Sequence, residues 1–231
     1  MRINLNKINN GFKRILNNNY DIFLIDANIF ISPDRSRENT KIKPVLFEYY
    51  KENWLIPFIE TFKPVGIHEA VYDEFTSNNI KKFVDGHKNS NSPNIIILKD
   101  SDLSQQENIL RITIESSIAK NTNYKPELNN RDDKGEVKSL AYIATKNLLY
   151  FCSHDATAIR LIEDAEKLDT CLENVSAIQP YEIMYYFAKN NIGNLKAIKN
   201  LFKYMYRLTV NEKSYNPDWN EFIEKMDILY F

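Results

Sequence analysis

Residues 20–30 read YDIFLIDANIF, and this stretch decides which fold the sequence can adopt. Four apolar residues, Ile22 to Ile25, run directly into Asp26, and Asn28 follows two places later. A run that is apolar on both faces is typical of a parallel strand covered by helices. A carboxylate at the end of such a strand either caps the helix that follows or belongs to a ligand site. Other features of the sequence are needed to distinguish between these two explanations.

Short apolar runs and longer amphipathic stretches alternate along the chain. The further runs that predict strands are residues 64–67, 94–98, 148–153 and 175–178. The stretches that predict helices are residues 42–62, with an interruption near Pro57, and residues 68–85, 103–120, 133–147 and 155–168. Ser101 or Asp102 is the expected cap of the helix over 103–120. The alternation predicts an α/β fold in which helices flank a central parallel sheet.

The pattern changes after about residue 180. Residues 180–190, 195–209 and 217–229 predict three helices that are rich in aromatic side chains. Such a stripe is typical of a core or of an oligomer interface. We therefore expect one domain over residues 1–180 and a helical C-terminal extension over residues 181–231, which packs on that domain or forms an interface.

Composition excludes several classes of protein. The 231 residues carry a net charge of −1, so a nucleic-acid partner would have to bind a local patch. Two cysteines are too few for a disulfide scaffold. Neither a secretory leader nor a run of about 18 apolar residues is visible. The sequence therefore predicts a cytoplasmic protein without a membrane span.

Acidic residues recur where the predicted strands end. Asp26 follows the first strand, Glu69 and Glu74 follow the second, and Asp155 follows the fourth. The helix that leads into the fourth strand begins with a further acidic group, which consists of Asp132, Asp133 and Glu136. Ligands bind at this edge of an open parallel sheet, and carboxylates that are brought together repel one another. A hard cation such as Mg²⁺ or Mn²⁺ relieves that repulsion and supports phosphodiester cleavage by water.

Each acid also has a structural explanation. Asp26 and Asp155 are suitable N-caps for the helices that follow them, and Asp132 or Asp133 for the helix over 133–147. Glu69, Glu74 and Glu136 suit the first turn of a helix, where the helix dipole favours negative charge. Only their common placement at strand ends indicates a site.

Four segments together resemble the PIN-domain nucleases, the family that includes the VapC-type toxins. They are FLIDANIF, VGIHEAVYDEF, RDDKGEVKSLAYIA and LLYFCSHDATA, and they lie between about residues 20 and 180. The resemblance implies a three-layer PIN-like fold. It also implies that Asp26, Glu74, Glu136 and Asp155 hold Mg²⁺ or Mn²⁺, directly or through water. His154 stands where the family often has asparagine, and residues 32–62 and 180–231 extend beyond its compact members.

The same resemblance implies a function. It implies a metal-dependent endoribonuclease that cleaves RNA in preference to DNA, and a toxin, a phage-defence effector or an RNA-maturation enzyme. A protein antitoxin or regulator and a second copy of the chain are the partners that it suggests. The alternative is a non-catalytic RNA- or protein-binding module on the same fold. Asn28 stands where a haloacid-dehalogenase phosphatase has its second aspartate, which argues against that enzyme class.

Further residues are expected to support the acids or to contact substrate. Asn28 would orient the Asp26 carboxylate, and Ser153 would hydrogen-bond a ligand or a phosphate. The remaining candidates are Glu69, Asp133, His154, Lys138 and Arg160. For Lys138 and Arg160 the alternative is an ordinary solvated charge, and for the histidines it is a surface or helix-cap role.

Overall fold

The computed structural model describes residues 2–18, 21–38, 41–89 and 93–231. The chain divides into two compact units. The helical unit consists of Met1–Asn19, Ser32–Phe58 and Pro180–Phe231, and the sheet unit consists of Tyr20–Ile31 and Ile59–Gln179. The C-terminal helices thus share one unit with the first segment of the chain and with the segment that follows residue 31.

Five strands form one parallel sheet in the sheet unit. They are β1 (Phe23–Ile25), β2 (Val65–His68), β3 (Ile95–Leu98), β4 (Tyr150–Cys152) and β5 (Ser176–Ile178). Their order across the sheet is β3-β2-β1-β4-β5, and every neighbouring pair is parallel. In the register of the sheet, Phe23 lies opposite Val65 on one side and Tyr150 on the other. The prediction of an α/β fold with a central parallel sheet flanked by helices is confirmed.

Helices make up most of the remaining structure. In chain order they are α1 (Asn10–Leu16), α2 (Ala27–Phe30), α3 (Phe47–Tyr50), α4 (Ile56–Phe62), α5 (Glu69–Glu74), α6 (Asn78–Lys88), α7 (Gln105–Ala119), α8 (Lys134–Thr145), α9 (Ala156–Glu163), α10 (Ala165–Leu168), α11 (Pro180–Lys189), α12 (Leu195–Tyr206), α13 (Val210–Tyr215) and α14 (Trp219–Tyr230). Within the part of the chain that the structure describes, none of the helices combines the length and apolar character needed to cross a membrane.

The strand order places a topological switch point between β1 and β4. From β1 the chain moves outward to β2 and β3, and it then returns to β4 and β5 on the other side. The ladder continues past the strands, because the Asp26 N–H donates to the Cys152 carbonyl at 3.0 Å and the Ser153 N–H donates to the Ile178 carbonyl at 3.2 Å. Crevices for ligands form at such a point, outside the carboxyl ends of the strands. The residues that follow β1 and β4 are therefore placed for binding.

The core of the sheet unit explains the sequence pattern of α8. Val137, Leu140 and Ala141 are completely buried, and Ala144 packs against the same cluster. They meet Leu24 of β1, and the cluster also contains Phe151 of β4 and apolar residues of α7 and α9. This packing fixes the helix, so the residues in its first turn are held over the carboxyl edge of the sheet.

Several element boundaries differ from the sequence prediction. The stretch 68–85 forms two helices, α5 and α6, instead of one. The cap of α7 is neither Ser101 nor Asp102, because Ser104 and Glu107 form a reciprocal capping box there. Near Pro57 the helical run is continuous, but residues Lys51–Leu55 adopt a π-helical turn. Proline lacks an N–H and crowds the carbonyl four residues earlier, and a wider turn before it accommodates both effects.

The helical unit has an aromatic core. The Trp54 and Phe187 rings lie 5.8 Å apart, and the Phe202 and Phe222 rings lie 4.7 Å apart. Most of the aromatic side chains of the C-terminal stretch are buried here, so their core role is confirmed. The predicted helix over 195–209 ends at Tyr206, and the sequence analysis missed α1 and α13. Both are short helices, whose apolar pattern is too brief to stand out.

Candidate metal centre

Asp26 serves two roles at the end of β1. Its Oδ1 atom accepts a hydrogen bond from the Ala27 N–H at 2.7 Å and so caps α2. Its Oδ2 atom accepts hydrogen bonds from the Ser153 hydroxyl at 2.8 Å and from the Asn28 amide. The residue is only 6% exposed, and burial raises the pKa of Asp26 to about 6 against the effect of these hydrogen bonds. The cap and a cation site are therefore not alternatives, because the cap uses one acceptor position of Oδ1 and leaves the other available.

Ser153 holds the two strand ends together. Its hydroxyl donates to Asp26 and accepts hydrogen bonds from the Asn28 amide at 3.0 Å and from the Asp155 N–H at 3.0 Å. A serine hydroxyl has one donor and two acceptor positions, so Ser153 is saturated. Asn28 completes the bridge, because its Oδ1 accepts a hydrogen bond from the His154 N–H at 3.3 Å.

Asp155 repeats the arrangement of Asp26 at the end of β4. Its Oδ1 atom accepts hydrogen bonds from the Thr157 N–H at 2.7 Å and the Ala158 N–H at 3.3 Å, and so caps α9. Within the described ranges, no hydrogen-bond donor meets its Oδ2 atom. The neighbouring His154 has a buried Nδ1 atom without a described partner, and burial lowers the pKa of His154.

Glu74 reaches the site from α5. Its Oε1 atom accepts a hydrogen bond from the Gly135 N–H at 2.8 Å, in the first turn of α8. Although Glu74 as a whole residue is exposed, its carboxyl end is partly desolvated, which raises the pKa of Glu74 against the effect of the Gly135 hydrogen bond.

Glu136 is the least satisfied acid of the group. The residue is 9% exposed, and its buried Oε1 atom has no hydrogen-bond partner among the residues that the structure describes. Burial, and then repulsion by Asp155, Asp26, Asp133 and Glu74, raise the pKa of Glu136 to about 9. A buried carboxylate without a partner is unusual, because such a group is normally hydrogen-bonded or paired.

The donor set fits a hard divalent cation. All four acids offer oxygen, which Mg²⁺ and Mn²⁺ prefer, and the orphaned Glu136 oxygen is available to bind one. No three of the four acids have ligand atoms within 4.8 Å of one another in the described residues. Two oxygens on one Mg²⁺ lie at most about 4.2 Å apart. In this arrangement a single ion would therefore contact at most two of the carboxylates directly and the others through water.

A second group is closer together, and each of its members makes a hydrogen bond within the protein. Ligand atoms of His68, Glu69 and Asp100 all lie within 4.8 Å of one another. His68 caps α5, because its Nδ1 accepts from the Ala70 N–H, and its Nε2 lies 3.2 Å from Asp100 Oδ1. Glu69 Oε1 accepts a hydrogen bond from the Asp100 N–H at 2.9 Å. The helix-cap role expected of His68 is confirmed, and we interpret this group as structural.

Lys138 belongs to the same structural network. Its Nζ atom lies 3.8 Å from Asp100 Oδ2 and 3.6 Å from Glu115 Oε1. Arg111 also pairs with both acids, and the Tyr124 hydroxyl donates to Glu115 at 2.9 Å. The sequence pattern did not predict this network, although Arg111 and Glu115 lie one turn apart on α7.

The remaining candidates, Arg160 and Asp133, make hydrogen bonds outside the four acids. The Arg160 guanidinium is exposed and donates to the Asn121 carbonyl at 3.2 Å. Asp133 Oδ2 accepts a hydrogen bond from the Asn123 N–H at 2.8 Å, and the negative charge of Asp133 raises the pKa of both Glu74 and Glu136. Asp133 occupies the N-cap position of α8, but its side chain makes no capping hydrogen bond. Gly135, which contacts Glu74, was not among the predicted site residues.

No protein-family model matches the chain, and no curated protein matches it.

Proposed function

We propose that this chain is a PIN-like, metal-dependent endoribonuclease. One observation carries the proposal: the buried Glu136 Oε1 atom has no described partner, and four other acids repel the Glu136 carboxylate at the carboxyl edge of a parallel sheet. The resemblance of four sequence segments to PIN-domain nucleases agrees with this placement.

Without a bound cation, the acid cluster destabilises the folded state. Burial raises the pKa of Asp26 and of Glu136, so folding opposes the charged form of both groups. Glu212 behaves differently, because its hydrogen bonds and ion pair with Arg35 outweigh burial and lower the pKa of Glu212 to about 2. A bound cation would supply positive charge to the acid cluster. No described side chain supplies such a charge to Glu136.

Asp26, Glu74, Glu136 and Asp155 are the residues that would hold the cation, directly or through water. When bound there, Mg²⁺ or Mn²⁺ supplies Lewis-acid activation of water and stabilises charge on the leaving oxygen of a phosphodiester. The protein contributes an arrangement that exists before the cation binds. Backbone N–H groups of α2 and α9 orient Asp26 and Asp155, which reduces the reorganisation that binding requires.

Ser153 is a positioning residue in this site and not a nucleophile. Its only proton is donated to Asp26, and both acceptor positions are occupied by Asn28 and Asp155. Hydrolysis by water is therefore the reaction that the side chains support best. RNA as the substrate follows from the resemblance, and so do a toxin or phage-defence role and a protein antitoxin.

The first test asks whether the acids bind a cation. Adding Mn²⁺ should raise the thermal midpoint of the purified protein, by mass action on the folded state. Asp26→Asn should abolish the rise. Asp21→Asn is the matched control, because Asp21 is exposed at the opposite end of the same strand and should leave the rise intact.

The second test measures nuclease activity. Purified protein is incubated with a pool of cellular RNAs and, separately, with single-stranded DNA, in Mg²⁺ or Mn²⁺ and in chelator. RNA cleavage that needs metal and disappears in Asp26→Asn supports the proposal. Metal binding without cleavage of either substrate would favour the alternative, a non-catalytic module.

A further inference from the structure

One helical position is occupied by glycine, although alanine would make the helix more stable. Gly135 lies in the first turn of α8, and glycine in a helix is less stable than alanine by up to about 1 kcal/mol. Its backbone does not adopt the left-handed conformation that would require glycine. A contact and not a backbone angle must therefore explain the residue.

The contact is with the carboxylate of Glu74. A Cβ atom at position 135 would lie 2.4 Å from Glu74 Oε1, 2.7 Å from its Cδ and 3.0 Å from its Oε2. Real Cβ atoms do not approach other heavy atoms so closely, so any side chain here would displace the carboxylate.

The same carboxylate serves the start of α8. Asp133, the N-cap residue, has φ of 54° and makes no side-chain capping bond. Glu74 supplies that acceptor from another helix, because its Oε1 receives the Gly135 N–H at 2.8 Å. One short contact therefore joins the end of α5 to the turn that carries Glu136.

We propose that Gly135 is the positioning residue of the metal centre: its missing side chain and its N–H together set the place of the Glu74 carboxylate beside Glu136. The inference deepens the proposed function and rests on it for the role of Glu74 as a metal ligand. The placement of Glu74 itself rests on the geometry alone.

The first experiment measures thermal midpoints in chelator, so it needs no metal. Gly135→Ala should lower the midpoint of the wild type by about 2–4 °C, because the methyl group displaces the Glu74 carboxylate and so breaks its hydrogen bond with the N–H of residue 135. In a Glu74→Ala background the clash is absent, and the same substitution should raise the midpoint or leave it unchanged. Gly86→Ala is the matched control, because a Cβ atom added to that helical glycine would have nothing within 4 Å. It should not lower the midpoint in either background.

The second experiment measures Mn²⁺ affinity by calorimetry on the same proteins. Gly135→Ala should weaken binding about 10–100-fold, the usual effect of losing support for a ligand. It should cause no further loss in the Glu74→Ala background, since the supported group is already missing. Gly86→Ala should leave the affinity at the wild-type value.

The outcomes separate the two proposals. A lower midpoint in the wild-type background that is absent in the Glu74→Ala background supports the placement of Glu74 by Gly135, even if the wild type does not respond to Mn²⁺. In that case the proposed metal-dependent function fails by itself. An equal midpoint change in both backgrounds overturns the positioning inference, whatever the protein does with Mn²⁺.

Discussion

The hydroxyl of Ser153 donates a hydrogen bond to Asp26 Oδ2 at 2.8 Å, across 127 residues of sequence. The bond joins the residues that follow two neighbouring parallel strands, β1 and β4. It also supplies a donor to a carboxylate that is almost completely buried. The site and the fold therefore depend on the same contact.

Replacement of Ser153 by alanine should lower both stability and cation affinity. The change removes a donor from the Asp26 carboxylate and an acceptor from Asn28, so we expect a loss of about 1–3 kcal/mol in the free energy of unfolding. Chemical denaturation in chelator measures this loss. Titration with Mn²⁺ should show weaker binding than in the wild type.

Ser139→Ala is the control for Ser153→Ala. Ser139 is also buried, but its hydroxyl has no hydrogen-bond partner within the described residues. Its removal should leave stability unchanged or increase it, because alanine is the better helix former. Equal losses in the two variants would contradict the role assigned to Ser153.

The stability of the metal-free protein should fall with pH between about pH 6.5 and 8.5. The folded state raises the pKa of Glu136 from 4.5 to about 9, so in this window it holds a proton that the unfolded chain has lost. Stability is therefore lost as the pH rises, by at most about 1.4 kcal/mol per unit. Asp26, with a pKa of about 6, contributes little in this window, and His154, whose pKa burial lowers from 6.5, acts in the opposite direction only at the acid edge of the window.

Glu136→Gln isolates this effect. The variant should flatten the pH dependence of the thermal midpoint in chelator and raise the midpoint at the alkaline end of the window. Glu163→Gln, at an exposed position on α9, should keep the wild-type slope. An unchanged slope in Glu136→Gln would show that another group titrates there.

Substitutions of Lys138 and Arg160 should have different effects on stability. Lys138→Met removes a cation from the Asp100 and Glu115 network, and we expect a loss of about 1–2 kcal/mol in stability. Arg160→Gln changes an exposed residue and should alter stability by less than about 0.5 kcal/mol.

The same two substitutions should also differ in their effect on RNA affinity. Fluorescence anisotropy with labelled RNA in chelator should show weaker binding for Arg160→Gln and wild-type affinity for Lys138→Met. The reverse result would restore Lys138 as the substrate contact.

Arg35 should be essential for the helical unit. Its guanidinium contacts Glu212 at 2.9 Å and 2.8 Å, and it also donates to the Tyr204 and Met205 carbonyls. A lysine cannot reproduce this fork, so Arg35→Lys should destabilise the protein by roughly 2 kcal/mol, less than complete removal of a buried partner. Arg37→Lys, at an exposed neighbour, should change the denaturation midpoint very little; a similar loss there would argue against the fork.

Local sequence patterns predicted the strands and the order of the acids. Runs that are apolar on both faces predicted all five strands, because a strand that is buried on both faces has a continuous apolar sequence. The placement of Asp26 and Asp155 after strands was also visible, because parallel strands bring their carboxyl ends to one edge. Local signals were weaker for short helices, and α1 and α13 were missed for that reason.

The contacts of each acid and base depend on the tertiary structure. It gave Asp26 one oxygen for capping and one for Ser153, it left Glu136 without a described partner, and it placed Lys138 in an ion-pair network. It also brought Gly135 against Glu74, 61 residues away. Hydrogen bonding and desolvation depend on which distant residues meet, and the periodicity of a sequence does not contain that information.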